Sequence, residues 1–248
     1  MKRRFEGHKA LITGSTQRLG LEMAKALASQ GADIVCHFHE SDNVSDALAD
    51  LESHDVKAMA IQADLSHRSG AEFLLQKVLE QCPDLTILVH SASIYRPDHI
   101  NNADADSVLS SLWVHGLSPW ILSRGFFQHF KKASNIVNIL DGALNKHQPN
   151  YFSYEMGKKI LKHLTEVMAI EFVPRVRVNG IALGPFLSKE ENQSSFDEAV
   201  KKLPIPRSGT IEELVQTLFF VIENDYMTGN IVFIDGGWHN KGGTLTYS

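Results

Sequence analysis

The segment "TGSTQRLG", Thr13 to Gly20, joins a short aliphatic run to a segment with helical periodicity. Gly14 and Gly20 permit a tight turn and a close approach of the backbone to a ligand. The helix that follows offers free N–H groups and the positive end of its dipole to a pyrophosphate. A strand, a glycine turn and a helix in this order are typical of a dinucleotide-binding sheet. A purely structural turn is also compatible with the two glycines alone.

Short β-branched or aliphatic runs alternate with helical segments along the whole chain. The seven runs are "KALIT", "ADIVCHF", "VKAMAIQ", "LTILVHS", "NIVNIL", "VRVNGIA" and "NIVFID". This alternation predicts parallel strands with helices on both faces, because each crossover must return over the sheet and is right-handed. We therefore predict one α/β domain over residues 1–248. The charged, proline-containing stretch Gly184 to Thr210 is expected to be irregular and to act as a lid, with a plain surface loop as the alternative.

Composition and charge argue against nucleic-acid binding, membrane association and metal binding. A net charge of −5 gives no basic surface for nucleic acid or an anionic membrane. No apolar run reaches the ~18 residues of a membrane span, so a cytoplasmic location is expected. Cys36 and Cys82 are far apart and have no companion ligands at metal spacing, so neither a disulfide framework nor a metal site is predicted.

A group of reactive residues follows the fifth predicted strand. Tyr154 and Lys158 are four residues apart and share one face of a helix. Asp141 precedes Tyr154 by thirteen residues and could reach the pair from a strand end. A tyrosine can donate the proton that hydride transfer requires, and a neighbouring ammonium favours its phenolate. These three side chains are the candidate catalytic residues, together with His115.

Five motifs in this order resemble the short-chain dehydrogenase/reductase superfamily over nearly the full length of the chain. They are the glycine turn, "ADLS" (63–66), "HSAS" (90–93), the Tyr154–Lys158 pair and "RVRVNGIALGP" (175–185). The resemblance implies a Rossmann-like, doubly wound sheet with strand order 3-2-1-4-5-6-7. It also implies a dinucleotide-binding half at about 1–140 and a catalytic half at about 141–248. Within the superfamily, "STQRLG" and "HFHES" are similar to segments of pteridine reductases.

The resemblance implies binding of NADP(H), with NAD(H) as the less favoured cofactor. The implied cofactor-binding residues are Gly14, Arg18, Leu19, Gly20, Phe38, His39, Ser41, Asp64, Leu65, Ser91, Ala92, Ser93, Tyr154, Lys158 and Gly184. Arg18 stands where the usual turn has a glycine, and its guanidinium could contact the cofactor phosphates and the substrate. Glu40 opposes NADP(H), because a carboxylate repels the ribose phosphate. Asp64 is equally compatible with a simple turn or helix-entry role.

Asp141 distinguishes this chain from most of the superfamily, which has a serine there. A carboxylate facing a developing alkoxide opposes ketone reduction, whereas it can assist proton delivery to the nitrogen of a C=N bond. Pteridine and dihydromonapterin reductases resemble the chain in having aspartate at this position. The implied substrate-binding residues are Arg18, Ser93, Tyr95, Asp141 and Tyr154. Tyr95 would stack on the flat heterocycle, although a half-buried loop aromatic is an alternative.

Three positions depart from the superfamily pattern: Ser91, His115 and Leu183. His115 replaces an asparagine, and it could support a proton relay to Lys158 or be a satisfied interior histidine. The sequence thus predicts an NADPH-dependent reductase of a dihydropterin or dihydrofolate-like substrate. The alternatives are a reductase of 3-oxoacyl carriers, sugars or ketones, and a non-catalytic NADP(H)-binding sensor. Resemblance and the apolar helices near residues 112–127 and 158–170 imply a homotetramer.

Overall fold

The computed structural model describes residues 3–40, 43–187 and 193–241. The predicted cofactor residue Ser41 lies outside these ranges. Each apolar run of the sequence forms a short strand, and five of the seven are largely buried because helices cover the sheet on both faces; β3 and β7, at its two edges, are mostly half-buried. The strands are β1 (Lys9–Thr13), β2 (Asp33–Phe38), β3 (Ala58–Gln62), β4 (Ile87–His90), β5 (Ser134–Asp141), β6 (Val176–Leu183) and β7 (Ile231–Ile234).

Helices occupy the crossovers between the strands. They are α1 (Arg18–Ser29), α2 (Val44–Glu52), α3 (Arg68–Gln81), α4 (Ala105–Leu112), α5 (Ser118–His129), α6 (Phe152–Glu171), α7 (Gln193–Lys201) and α8 (Ile211–Glu223). A π-helical turn, Trp113–Leu117, joins α4 to α5, and a 3₁₀ turn, Trp238–Asn240, follows β7.

All seven strands are parallel and form one sheet with the order β3-β2-β1-β4-β5-β6-β7. The predicted strand order and fold class are therefore confirmed. The order reverses between β1 and β4, where the connections leave on opposite faces and open a crevice at the carboxyl edge. Asp141 ends β5 at this edge, and the glycine turn follows β1.

Two apolar cores lie on opposite faces of the sheet. In β1, Ala10 and Ile12 belong to the core with α1 and α8, whereas Leu11 belongs to the core with α3, α5 and α6. This division follows from the two-residue repeat of a strand. The cores fix the helices on the sheet and thereby hold the carboxyl edge in place.

The stretch from Gly184 to Thr210 is less irregular than predicted, because it contains α7. Residues 188–192 within it lie outside the described ranges. Within those ranges, no helix is long and apolar enough to cross a membrane. The same residues contain no group of three or more His, Cys, Asp or Glu side chains that could hold a metal ion.

Candidate active site

Three predicted catalytic side chains meet where β5 ends beside α6. The Tyr154 hydroxyl donates a hydrogen bond of 2.8 Å to Oδ2 of Asp141. Nζ of Lys158 donates to the backbone oxygen of Ile139 at 2.8 Å and lies 5.6 Å from the centroid of the Tyr154 ring. The strand end and the helix face therefore bring together the acid, the phenol and the amine, as their spacing indicated.

The second carboxylate oxygen of Asp141 is also engaged. Oδ1 accepts 2.7 Å from the backbone N–H of Ala143 and 3.2 Å from Nε2 of Gln148. These donors fix the carboxylate so that Oδ2 faces Tyr154. Sequence reasoning missed Gln148, because a glutamine in a connecting segment carries no motif.

Burial shifts the pKa values of Asp141 and Lys158 in the directions that favour their neutral forms. It raises the pKa of Asp141, against the opposing effects of the Ala143 and Tyr154 hydrogen bonds and of the Lys158 charge. It lowers the pKa of Lys158 to about 8, while the Asp141 charge acts in the opposite direction. Each charged form therefore costs desolvation energy that only its neighbour and its hydrogen bonds offset.

A loop after β4 holds the beginning of α6. The Asp98 carboxylate accepts from the backbone N–H of Ser153 at 3.1 Å and also from its hydroxyl. Tyr95 stacks on Tyr151 with ring centroids 4.2 Å apart and meets the Tyr154 ring edge to face at 4.8 Å. Asp98 thus supplies a distant N-terminal cap, and the two tyrosines line the approach to Tyr154. Neither Asp98 nor Tyr151 carried a sequence signal.

His115 lies in the π-helical turn and is buried against α6. Its Nδ1 is 3.0 Å from the backbone oxygen of Ser111, and its Nε2 is 3.0 Å from Oγ of Ser93. Its ring meets that of Tyr154 edge to face at 5.4 Å. Burial, followed by the Lys158 charge, lowers the pKa of His115 well below its ordinary value. The imidazole is therefore neutral and oriented by its serine neighbours.

The glycine turn after β1 is tightly packed. A Cβ at Gly14 would lie 2.9 Å from Cα of Ala92, and one at Gly20 would lie 2.0 Å from the Gly14 oxygen. Arg18 has a positive φ of 53°, a conformation that glycine adopts more readily. Its Nη2 donates to the Leu187 oxygen at 3.3 Å, which links the turn to the stretch after β6.

Backbone donors and a histidine brace this turn. The N–H groups of Ser91 and Ala92 each lie 3.0 Å from Oγ1 of Thr13. The Gly14 N–H donates to Nδ1 of His37 at 3.1 Å, and Nε2 of His37 is 3.0 Å from the Ala63 oxygen. Burial lowers the pKa of His37 to about 4, so the ring is neutral and can accept from Gly14. His37 is the first residue of the segment "HFHES", but the sequence analysis assigned a role only to residues that follow it.

Several predicted cofactor residues lie where β2, β3 and β6 end. His39 and Glu40 are exposed after β2, next to the half-buried Phe38. Oδ2 of Asp64 is 3.1 Å from Nδ1 of His67 and 3.9 Å from Nε2 of His39.

Leu65 is buried, and its backbone oxygen accepts from the Ser118 hydroxyl at 2.7 Å. A Cβ at Gly184 would lie 2.6 Å from Cα of Asp235. Leu19 is half-buried in the first turn of α1, whose N-cap residue makes no side-chain cap hydrogen bond. A close-packed glycine turn, an uncapped helix N-terminus and an acidic side chain beyond β3 are features that fit a bound dinucleotide.

Comparisons with known proteins agree with this architecture. A family model described as enoyl-(acyl carrier protein) reductase matches residues 14–239. The crystal structure of FolM alternative dihydrofolate reductase 1 from Brucella canis, complexed with NADP, superposes with a TM-score of 0.89. It is 29% identical in sequence, and the match covers 98% of both chains.

Two curated relatives differ in substrate. A 2-dehydro-3-deoxy-D-gluconate 5-dehydrogenase of Formosa agariphila is 26% identical over 244 residues, covering 94% of this chain and 92% of that protein. A dihydromonapterin reductase of Shigella boydii is 24% identical over 234 residues, covering 92% of this chain and 95% of that protein. Overall similarity therefore does not separate sugar from pteridine substrates, and the side chains of the site must do so.

Proposed function

The chain belongs to the short-chain dehydrogenase/reductase superfamily, and from this premise we propose that it reduces a ring C=N bond of a pteridine with NADPH. The substrate class is a dihydropterin or a dihydrofolate-like compound, which is converted to the tetrahydro form. The observation that carries the proposal is the hydrogen bond of 2.8 Å from Tyr154 to the Asp141 carboxylate. The NADP-bound FolM structure and the dihydromonapterin reductase relative support the same substrate class.

The cofactor is NADP(H), which supplies the hydride when it is bound. The glycine turn and the N terminus of α1 would hold its pyrophosphate, through Gly14, Arg18, Leu19 and Gly20. We propose that Phe38 and His39, with Asp64 and Leu65, hold the adenosine end. Ser91, Ala92, Ser93, Lys158 and Gly184 would hold the nicotinamide end. This divides the chain at about residue 140, with most cofactor contacts before it.

Proton delivery is the role proposed for the residues at the end of β5. Tyr154 would give its hydroxyl proton to the ring nitrogen adjacent to the carbon that accepts hydride. The Asp141 carboxyl group, next to the phenol oxygen, can then return a proton to it. Burial raises the pKa of Asp141 and so favours the protonated form that this step needs. The Lys158 ammonium stabilises the phenolate in the interval between the two transfers.

A ketone substrate fits this arrangement less well. Reduction of a ketone leaves an alkoxide, and a carboxylate at Asp141 would repel it in a site of low dielectric. A ring nitrogen that takes its proton before the hydride arrives develops no such negative charge, and Asp141, having passed its proton to Tyr154, is by then the carboxylate. Carbonyl reduction of 3-oxoacyl carriers or sugars is the second candidate, favoured by the gluconate dehydrogenase relative and the family model description. A non-catalytic sensor is disfavoured because Tyr154 and Lys158 are both in place.

The test is Asp141→Ser, which converts the site to the arrangement usual in the superfamily. Oxidation of NADPH is measured with quinonoid and 7,8-dihydropterins, and separately with acetoacetyl thioesters. We expect turnover of a dihydropterin by the native chain and a loss of about 100-fold in the variant. Gln148→Ala is the matched control, because it removes a weaker contact to the same carboxylate. Turnover of acetoacetyl thioesters alone, or unchanged pterin turnover in Asp141→Ser, would reject the proposal.

We propose further that the chain assembles as a homotetramer. Apolar side chains are exposed on α5, α6 and the π-helical turn, and these are Leu117, Trp120, Ile160, Val167 and Ile170. Such a patch is typical of a surface covered by another copy. Sedimentation of the native chain as a monomer would reject the tetramer, and Ile170→Glu is expected to weaken it. A cytoplasmic location stays a prediction.

A further inference from the structure

The hydrogen bonds of His115 define which of its nitrogens carries the proton. Nδ1 is 3.0 Å from the backbone oxygen of Ser111, and a carbonyl oxygen can only accept. Nε2 is 3.3 Å from the backbone N–H of Ile94, which can only donate. Both contacts require the same neutral tautomer, with hydrogen on Nδ1 and a lone pair on Nε2. The lowered pKa of the buried ring keeps it in a neutral form.

This tautomer determines the direction of the Ser93 hydroxyl. Oγ of Ser93 is 3.0 Å from Nε2 of His115. Because Nε2 has no hydrogen, the hydrogen in this contact comes from the Ser93 hydroxyl, and Nε2 accepts from Ser93 as well as from the Ile94 N–H. The oxygen of Ser93 then offers only lone pairs to any other partner. Ser93 is exposed, so those lone pairs are accessible to a ligand.

His115 borders Tyr154, the proposed proton donor, and Ser93 is hydrogen-bonded to His115. Ser93 lies two residues before Tyr95, and the rings of Tyr95 and His115 each pack edge to face against Tyr154. Gly157 makes the approach possible, since a Cβ there would lie 2.8 Å from Cβ of His115. The π-helical turn carries His115 towards this gap, and such turns are frequent at functional sites. One imidazole therefore contacts the phenol ring and orients the neighbouring hydroxyl.

We propose that His115 is a positioning residue that makes Ser93 an obligate hydrogen-bond acceptor, so that the site selects a heterocycle presenting an N–H donor to Ser93. The ligand part of this inference rests on the proposed pteridine reductase function. An acceptor at the same position on the ring would face the Ser93 oxygen lone pairs and would lose the hydrogen bond. His115 thus selects among ligands without touching them.

The ligand preference is tested by binding, without turnover. Three probes are titrated into the NADP-saturated full chain: 2-amino-4-oxopteridine, 2,4-dioxopteridine and 2,4-diaminopteridine. The first and second probes differ at ring position 2, and the first and third differ at position 4; in each pair, one probe has an amino donor where the other has an oxo acceptor. For the native chain, one of these exchanges is expected to weaken binding about 10-fold. In Ser93→Ala and in His115→Asn that difference is expected to fall to about threefold or less.

Two further variants separate positioning from a general structural effect. His115→Gln retains an amide oxygen at the reach of Nε2, so it is expected to restore part of the preference. Ser111→Ala removes a hydroxyl 3.1 Å from Nδ1 but leaves the carbonyl that fixes the tautomer, so it is expected to keep the preference. An unchanged preference in His115→Asn, or an equal loss in Ser111→Ala, would overturn the inference.

A second measurement does not depend on the substrate class. Two-bond ¹⁵N–¹H correlation spectra of ¹⁵N-histidine-labelled protein report the tautomer of each ring, and His115→Asn identifies the His115 signals. Hydrogen on Nδ1 at neutral pH supports the positioning role, whereas hydrogen on Nε2 or a charged ring overturns it. If the tautomer is as stated but no pteridine binds, the proposed function fails and the orientation of Ser93 stands.

Discussion

Two regions at the carboxyl edge of the sheet, one at the end of β5 and one beyond β2, hold their polar and charged side chains in different ways. At the end of β5, Asp141 accepts three hydrogen bonds and lies beside the buried Lys158. Beyond β2, His39 and Glu40 are exposed, and His39 lies 3.9 Å from Asp64. Electrostatic effects are large in buried sites and small in water. The β5 end is therefore suited to chemistry, and the β2 end to graded discrimination between cofactors.

The largest effect is expected at the β5 end, from Tyr154→Phe. Loss of the hydroxyl removes the proposed proton donor, so kcat should fall by about 10²–10⁴-fold. The NADPH dissociation constant, measured by fluorescence titration, should change little, because the ring and its packing remain. Tyr151→Phe is the matched control, because it removes a tyrosine hydroxyl three residues away and keeps the ring that stacks on Tyr95. If Tyr154→Phe binds NADPH and every reduction rate equals that of the native chain, the result would favour a non-catalytic sensor.

The pH dependence of turnover should report Lys158. Its pKa of about 8 means that the ammonium is present below pH 8 and is lost as the pH rises through that value. The phenolate of Tyr154 then loses its stabilising charge, so kcat/KM for reduction should fall about 10-fold per pH unit above the midpoint. Steady-state assays between pH 6 and 10, in a constant-ionic-strength buffer, measure this profile.

Lys162→Met provides the control for this pH profile. Lys162 lies one turn further along α6 and pairs with Glu166 at the surface, so its removal should leave the midpoint unchanged. A midpoint near the ordinary lysine value would show that burial does not tune Lys158.

The same contrast explains what the sequence could predict. The alternation of apolar runs predicted all seven strands, because burial on both faces of a parallel sheet leaves a strong compositional signal. The Asp141, Tyr154 and Lys158 group was also predictable, since a strand end and a helix spacing suffice to bring it together. Gln148 and Asp98 were not, because they reach the site through loop conformations that have no periodic pattern. The π-helical turn that contains His115 was likewise not predicted, because such a turn has no sequence period of its own.

A moderate effect is expected at the β2 end, from Glu40→Arg. An exposed carboxylate beside the proposed ribose phosphate site repels that phosphate, and an arginine would attract it. The preference for NADPH over NADH, measured as the ratio of dissociation constants, should rise by about two- to fivefold and fall again with added salt. Glu52→Arg, a charge change at the exposed end of α2, should leave the ratio unaltered. An unchanged ratio in Glu40→Arg would place the phosphate elsewhere.

The smallest effect concerns the link between the glycine turn and the stretch after β6. Arg18 has a φ of 53°, so Arg18→Gly should relieve backbone strain and raise the free energy of unfolding by up to about 1 kcal/mol. The same change removes the exposed guanidinium that is proposed to contact the cofactor phosphates, so NADPH affinity should fall about twofold. Asp55 is the matched control, because it has a φ of 57° in an exposed turn away from the site. Asp55→Gly should give a similar stabilisation in chemical denaturation without any change in NADPH affinity. If both variants leave that affinity intact, Arg18 contributes only to the conformation of the turn and the cofactor phosphates depend on backbone donors alone.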